Sequence, residues 1–100
     1  MFEFDVKENG GEVDVKLKGR LDATVAPGLH SELAKFQGQD IKQVTFDVGE
    51  LEYIASAGLR VIIFSKQKLG ADTQIFMKDV SEEVKSVIEM TGCDNFVTFL

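Results

Sequence analysis

The sequence predicts an α/β domain of the α+β-like kind. It should be a small mixed β-sheet that opens with an antiparallel hairpin and carries its helices mainly on one face, in the order ββαβαβαβ. Three observations lead there. Two stretches near the start alternate apolar and charged residues around Asn-Gly-Gly. Three later stretches repeat apolar residues at helical spacing, and short apolar runs separate and follow them.

Phe2, Phe4 and Val6 alternate with Glu3, Asp5 and Lys7; Val13, Val15 and Leu17 alternate with Asp14, Lys16 and Lys18. Each reads as a half-buried strand, and Asn9-Gly10-Gly11 between them tolerates positive φ, so the pair is a hairpin. Residues 20–24 read as a loop. Val25, Leu29, Leu33 and Phe36 then follow helical spacing, with Pro27 suited to the first turn and Gly38 to the exit. Val44, Phe46 and Val48 alternate with Thr45 and Asp47, a third strand expected to end near Gly49. A second helix starts near Ser56 or Ala57 and runs to about Leu69, with Gly70 as its stop. Residues 74–77 form a short strand. Asp79 and Glu82 have capping-box spacing ahead of Val80, Val84, Val87 and Ile88, a third helix closing at Gly92. Residues 96–100 make a last short strand. The hairpin must be antiparallel, and strands joined by helices should run parallel, leaving one sheet face partly open to solvent.

One hundred residues make one domain with one core. Hydrophobic content of 44% with 28% charged residues is that of a folded globular chain. The longest apolar run, residues 61–64, is far too short for a membrane span, and the acidic, alternating start is unlike a signal peptide, so a cytoplasmic protein is expected. A net charge of −6 with no basic cluster speaks against nucleic acid. Cys93 is the sole cysteine, which excludes an internal disulfide and any multi-cysteine metal site.

Residues 51–60, L-E-Y-I-A-S-A-G-L-R, place a serine and a glycine where an extended apolar run gives way to a helix. A hydroxyl there is exposed beside free backbone N–H groups and can carry a phosphate at little structural cost. Ser56 is therefore the candidate centre of function. On its own, such a serine is most simply an N-cap contributing about 1 kcal/mol. Catalysis finds little support. The one histidine, His30, lies among surface-type residues, potential metal ligands are scattered, and no G-x-G-x-x-G or Walker pattern occurs. Neither a metal nor a cofactor is expected.

The element order, the loop G-R-L-D-A (residues 19–23) within G-R-L-D-A-x-x-A-P, and L-E-Y-I-A-S-A-G-L-R resemble a STAS domain of the anti-sigma factor antagonist type. The resemblance extends over essentially the whole chain, to T-G-C-D-N-F (residues 91–96). It implies a bacterial regulatory switch with no catalysis of its own. Ser56 aligns with the serine phosphorylated by a partner kinase that is also the anti-sigma factor. The unphosphorylated antagonist binds that kinase and frees the sigma factor, and a PP2C-type phosphatase resets the switch. Asp22 aligns with an acidic loop residue near the phosphorylation site; Thr24, Ala55, Ala57, Gly58 and Arg60 complete the expected partner-facing set. The family's leading Asp is Ala55 here, and its second Ser or Thr is Ala57. A monomer is expected, with weak pairing through an exposed sheet edge as the alternative.

Two other readings compete. A STAS module of another assembly, such as a stress-sensing or lipid-transport complex, would bind without phosphoserine. A nucleotide-binding or weakly hydrolytic domain lacks the motif that cradles phosphates. Among the individual residues, Asp22 is as simply a brace for its loop as a partner contact, Gly58 a site of close helix–sheet packing, and Arg60 a solvated helix charge. Cys93 suits a partly buried filler near a helix end. The eight phenylalanines suit the core or the sheet faces, or a docking patch if several are exposed together.

Overall fold

The computed structural model describes residues 2–69 and 73–100, apart from the side chains of Ser65 and Lys66. The chain runs through β1 (Phe2–Asn9), β2 (Glu12–Leu21), α1 (Ala26–Ala34), β3 (Gln43–Ile54), α2 (Ser56–Leu69) and β4 (Gln74–Lys78). It continues through α3 (Glu82–Met90) and a short 3-10 turn (Cys93–Phe96) into β5 (Thr98–Phe99). The expected order of elements holds.

β1 and β2 pair antiparallel from Phe2↔Gly19 to Asn9↔Glu12 around a two-residue turn. Gly10 and Gly11 both have positive φ, +59° and +89°. That conformation matches the strand twist and is strained for other residues. The remaining strands add in parallel, giving a five-stranded sheet in the order β1-β2-β3-β4-β5. Each βαβ crossover steps the same way across the sheet. Because such crossovers are right-handed, all three helices fall on one face. Beneath them the core is continuous: Val13, Val15, Leu17, Val44, Phe46 and Met77 from the sheet meet Leu29, Leu33, Ile62, Val84 and Ile88 from the helices. Thr73, only 1% exposed, donates its hydroxyl proton to Ile41 O at 2.7 Å. That bond satisfies a polar group that burial would otherwise penalise.

Several boundaries depart from expectation, each for a local reason. β2 extends through Leu21, so Arg20 and Leu21 are strand rather than loop. β3 does not end at Gly49 but continues to Ile54. Its pairing with β2 shifts register between Lys16 and Lys18, where three residues of β3 span two steps of β2, and again between Gly19 and Arg20. Each extra residue on β3 resets the alternation, so Val48, Leu51 and Ile54 all point into the core at a spacing of three. A strict period of two hid this half of the strand. α1 stops at Ala34, short of Phe36. The chain then uncoils through tighter turns in which Phe36 N donates to Leu33 O and Gln39 N to Phe36 O.

α3 is capped by Ser81, whose hydroxyl oxygen accepts from Val84 N at 3.3 Å. Asp79 is not the cap: it sits outside the helix with φ +57°. The expected stop of α2 at Gly70 lies outside the described residues.

The second face of the sheet is open, and its charges are laid out in alternation. Asp5, Lys16, Asp47 and Lys78 are successive neighbours across β1, β2, β3 and β4, and Glu3, Lys18 and Glu50 form a second such row. Lys16 Nζ and Lys18 Nζ lie 3.3 and 3.6 Å from Glu50 Oε2. Opposite charges on facing strands attract weakly in water, so this face is solvated and self-neutralised. Of the phenylalanines, Phe46 is fully buried, whereas Phe4 and Phe96 are 37% and 44% exposed. These two stand at opposite edges of the sheet and make no common patch. Among the described residues no helix is long and apolar enough to cross a membrane.

Candidate functional site

The site is assembled where β2 and β3 end side by side. Leu21 pairs with Ile54, and one residue later Leu21 O accepts a hydrogen bond from Ala55 N at 2.9 Å. This fixes the entry to α2 next to the loop that leaves β2. The Ala55 carbonyl accepts from Leu59 N at 3.1 Å, the first bond of the helix, so Ala55 occupies the N-cap position. Ser56 is thus the first residue of α2 rather than its cap. Ala55, lacking a side-chain acceptor, cannot cap. The Ser56 side chain is exposed, and among the described residues its hydroxyl has no hydrogen-bond partner. It has no visible structural task.

Asp22 braces the neighbouring loop. Its Oδ1 accepts from Thr24 N at 2.9 Å and from Val25 N at 3.3 Å, and its carbonyl accepts from Ala26 N at 3.0 Å. Asp22 therefore holds the loop into α1, its side chain satisfying the N–H groups of Thr24 and Val25 ahead of the helix and its carbonyl that of Ala26, the first helical residue. Thr24 is exposed on the same loop, while Ala55 and Ala57 are half-buried.

Of the two expectations for Gly58, a partner-facing position and a site of close helix–sheet packing, the structure matches the second. Gly58 is buried, and a Cβ built on it would lie 2.5 Å from Leu21 Cγ. Its bare Cα faces β2, where α2 lies so close to the sheet that no side chain fits. Arg60 is exposed, and no ion pair holds it among the described residues.

Two clefts flank α2 and were not legible beforehand. The first, of about 480 Å³, is lined by Ser56, Leu59, Arg60, Ile63, Phe64 and Gln67 of α2 with Thr91 and Cys93. A second, of about 410 Å³, runs between α1 and α2; Ala23, Pro27, His30, Ala57, Arg60 and Phe64 are among its lining residues. Arg60 and Phe64 form the ridge between the two. Ser56, Arg60 and Phe64 are each four residues apart, so they stack along one side of the helix. That spacing was the one available signal for the ridge. Thr91 and Cys93 arrive from α3's far end and carry no such signal. His30 is exposed as expected, but its ring packs on Phe64 with centroids 4.0 Å apart. Among the described residues no group of His, Cys, Asp and Glu is arranged to hold a metal ion.

Among the described residues the site is therefore an unengaged hydroxyl at a helix start, beside a guanidinium without an ion pair and apolar grooves. Comparison with known proteins identifies the family. The family model for the STAS domain matches residues 3–100.

The chain belongs to the STAS domain family.

Over 77 residues this STAS domain is 32% identical to the protein named "Putative anti-sigma factor antagonist BtrV" of Bordetella bronchiseptica. That match takes in 76% of this chain and 66% of that protein, just under two thirds of its length. The solved structure of an anti-sigma factor antagonist from Mycobacterium paratuberculosis superposes with a TM-score of 0.85 at 21% identity, over 99% of this chain and 85% of that one. The Bacillus cell fate determinant SpoIIAA in its phosphorylated form gives 0.74 at 17% identity, over 98% of this chain and 91% of that one. At these identities the likeness to the solved structures is one of STAS fold.

Proposed function

We propose that this STAS domain is an anti-sigma factor antagonist whose hold on an anti-sigma factor serine kinase is broken by phosphorylation of Ser56. The observation that carries the proposal is the Ser56 hydroxyl, exposed at the first residue of α2 with no partner among the described residues. The name of the Bordetella relative and the existence of SpoIIAA in a phosphorylated form support it. The protein performs no catalysis itself. The kinase adds the phosphate and a PP2C-type phosphatase removes it.

The physical mechanism is local. Phosphorylation adds about −1.5 to −2 charges and three acceptor oxygens. At a helix N-terminus, free N–H groups and the dipole accommodate that charge, and Arg60 one turn on can pair with it, so the fold persists. An interface closed over the cleft beside Ser56 fares worse. The lining of that cleft includes Leu59, Ile63 and Phe64, and burying a doubly charged group against apolar surface carries a large desolvation penalty. Asp22, on the adjoining loop, adds like charge. The kinase is released because its interface cannot absorb the phosphate.

Ser56→Asp and Ser56→Ala test this together. Ser56→Asp should lose kinase binding by at least tenfold with an unchanged circular dichroism spectrum, while Ser56→Ala binds but accepts no phosphate. Incubation with the kinase and ATP followed by peptide mass spectrometry should locate the phosphate on Ser56. A phosphate on Thr24 instead would move the site. A second reading, a STAS module that binds its partner without phosphorylation, is favoured by Ala55 and Ala57 standing where the family has Asp and Ser or Thr; unchanged binding by Ser56→Asp would select it.

A further inference from the structure

The free edge of the sheet carries a self-complementary pattern that nothing in the proposed switch uses. β1 is eight residues long and among the described residues borders only β2, whereas the opposite edge, β5, has two residues. In a hairpin closed by a two-residue turn, the residues flanking the turn form a hydrogen-bonded pair, and such pairs recur at every second position. Asn9–Glu12, Lys7–Asp14, Asp5–Lys16 and Glu3–Lys18 are then the bonded pairs of the observed register. Phe4, Val6 and Glu8 therefore direct their backbone N–H and C=O groups away from β2, toward solvent. A row of this kind is a template for another strand.

We propose that the occupant of this edge is a second copy of the chain, its β1 antiparallel to the first and centred on Val6↔Val6. Charge selects that register. With Val6 on the two-fold axis, Asp5 of each copy faces Lys7 of the other, giving two attractive pairs on the open face, and Glu3 faces the neutral Asn9. Centring on Asp5 sets two carboxylates against each other. Centring on Phe4 sets Glu3 against Asp5 twice. On the helix-covered face Val6, already half-buried against the core, gains a matching Val6. The two Ser56 sites follow β3, two strands away from the joint, and both remain open. Pairing unites two five-stranded sheets into one that is continuous across both copies. It is weak, because the interface is one strand wide and each copy carries a net charge of −6.

Sedimentation equilibrium at 0.15 M salt, up to millimolar protein, tests the proposal with two charge variants on the open face. Wild type should show reversible dimerisation. Asp5→Lys sets the introduced lysine of each copy against Lys7 of the other, and Lys7→Glu sets the introduced glutamate against Asp5. Each variant should weaken self-association at least tenfold. Mixed in equal amounts, the two should associate at least as well as wild type. The introduced lysine of one then meets the introduced glutamate of the other, and the retained Lys7 of the first meets the retained Asp5 of the second. Circular dichroism establishes that both are folded. If either is not, Val6→Pro takes its place, removing one outward-facing donor and no hydrogen bond to β2, and should abolish the dimer. A wild type monomeric throughout, a dimer indifferent to these changes, or variants that fail to pair when mixed would overturn the proposal.

Discussion

A methyl group added at Gly58 would meet Leu21 Cγ at 2.5 Å and Cδ2 at 2.8 Å, and Leu21 is fully buried. Replacing glycine by alanine inside a helix normally gains about 1 kcal/mol, but overpacking a core costs roughly 1–3 kcal/mol. The clash should win, so Gly58→Ala should destabilise by up to about 2 kcal/mol in urea denaturation; a stabilised variant would mean that Leu21 repacks freely. Asp22 separates two roles in one side chain. Asp22→Ala loses the oxygen that accepts from Thr24 and Val25 and should cost about 1 kcal/mol. Asp22→Asn keeps an acceptor and should retain most of that stability. If kinase binding falls in Asp22→Asn, the partner reads the charge. At this scale the sequence singled out Ser56 as the candidate. That Gly58 is turned inward depends on how closely α2 approaches β2, a distance no spacing along the chain encodes.

Among the elements, the start of α3 and the second half of β3 show where local pattern was insufficient. Asp79 and Glu82 had the spacing of a capping box, yet the chain turns through a left-handed conformation at Asp79 and Ser81 makes the cap. Ser81→Ala should therefore cost about 1 kcal/mol. Asp79→Gly should be neutral or gain up to about 1 kcal/mol, since glycine adopts positive φ without strain. Thermal melts of the two variants distinguish the caps; equal losses would restore Asp79 to that role. The capping pattern was ambiguous because Asp and Ser both cap, and the backbone path out of β4 chose between them. β3 was half legible. Its first residues alternate cleanly, but register shifts change the spacing of buried residues from two to three after Val48. Only pairing with β2 produces that change.

For the molecule as a whole, the division between a helix-covered face and a charged open face governs stability. Lys16 sits among opposite charges, facing Asp5 and Asp47 across the strands and lying 3.3 Å from Glu50. Each such pair is worth roughly 0.2–1 kcal/mol, and reversal makes all three repulsive, so Lys16→Glu should destabilise by about 1–2 kcal/mol. Added salt should recover part of that loss by screening. Lys16→Gln should cost less than half as much. Denaturant midpoints at low and high salt check this, and equal effects of the two changes would mean that the alternation contributes nothing. The fold class, the mixed sheet and the placement of helices on one face were all legible, because alternation, helical spacing and right-handed crossovers leave few arrangements open.

The sequence by itself determined the order of elements, the presence of the hairpin through its glycine turn, the core residues of β2 and early β3, and Ser56 as the candidate to test. Each of these follows from chemistry between residues close along the chain or from a short repeat. The tertiary structure alone decided that Ser56 begins α2 without capping it, that Gly58 is sealed against Leu21, and that Arg60 and Phe64 form a ridge between two clefts. Those features depend on distances between segments that meet only after the sheet has formed, and residue order does not specify such distances.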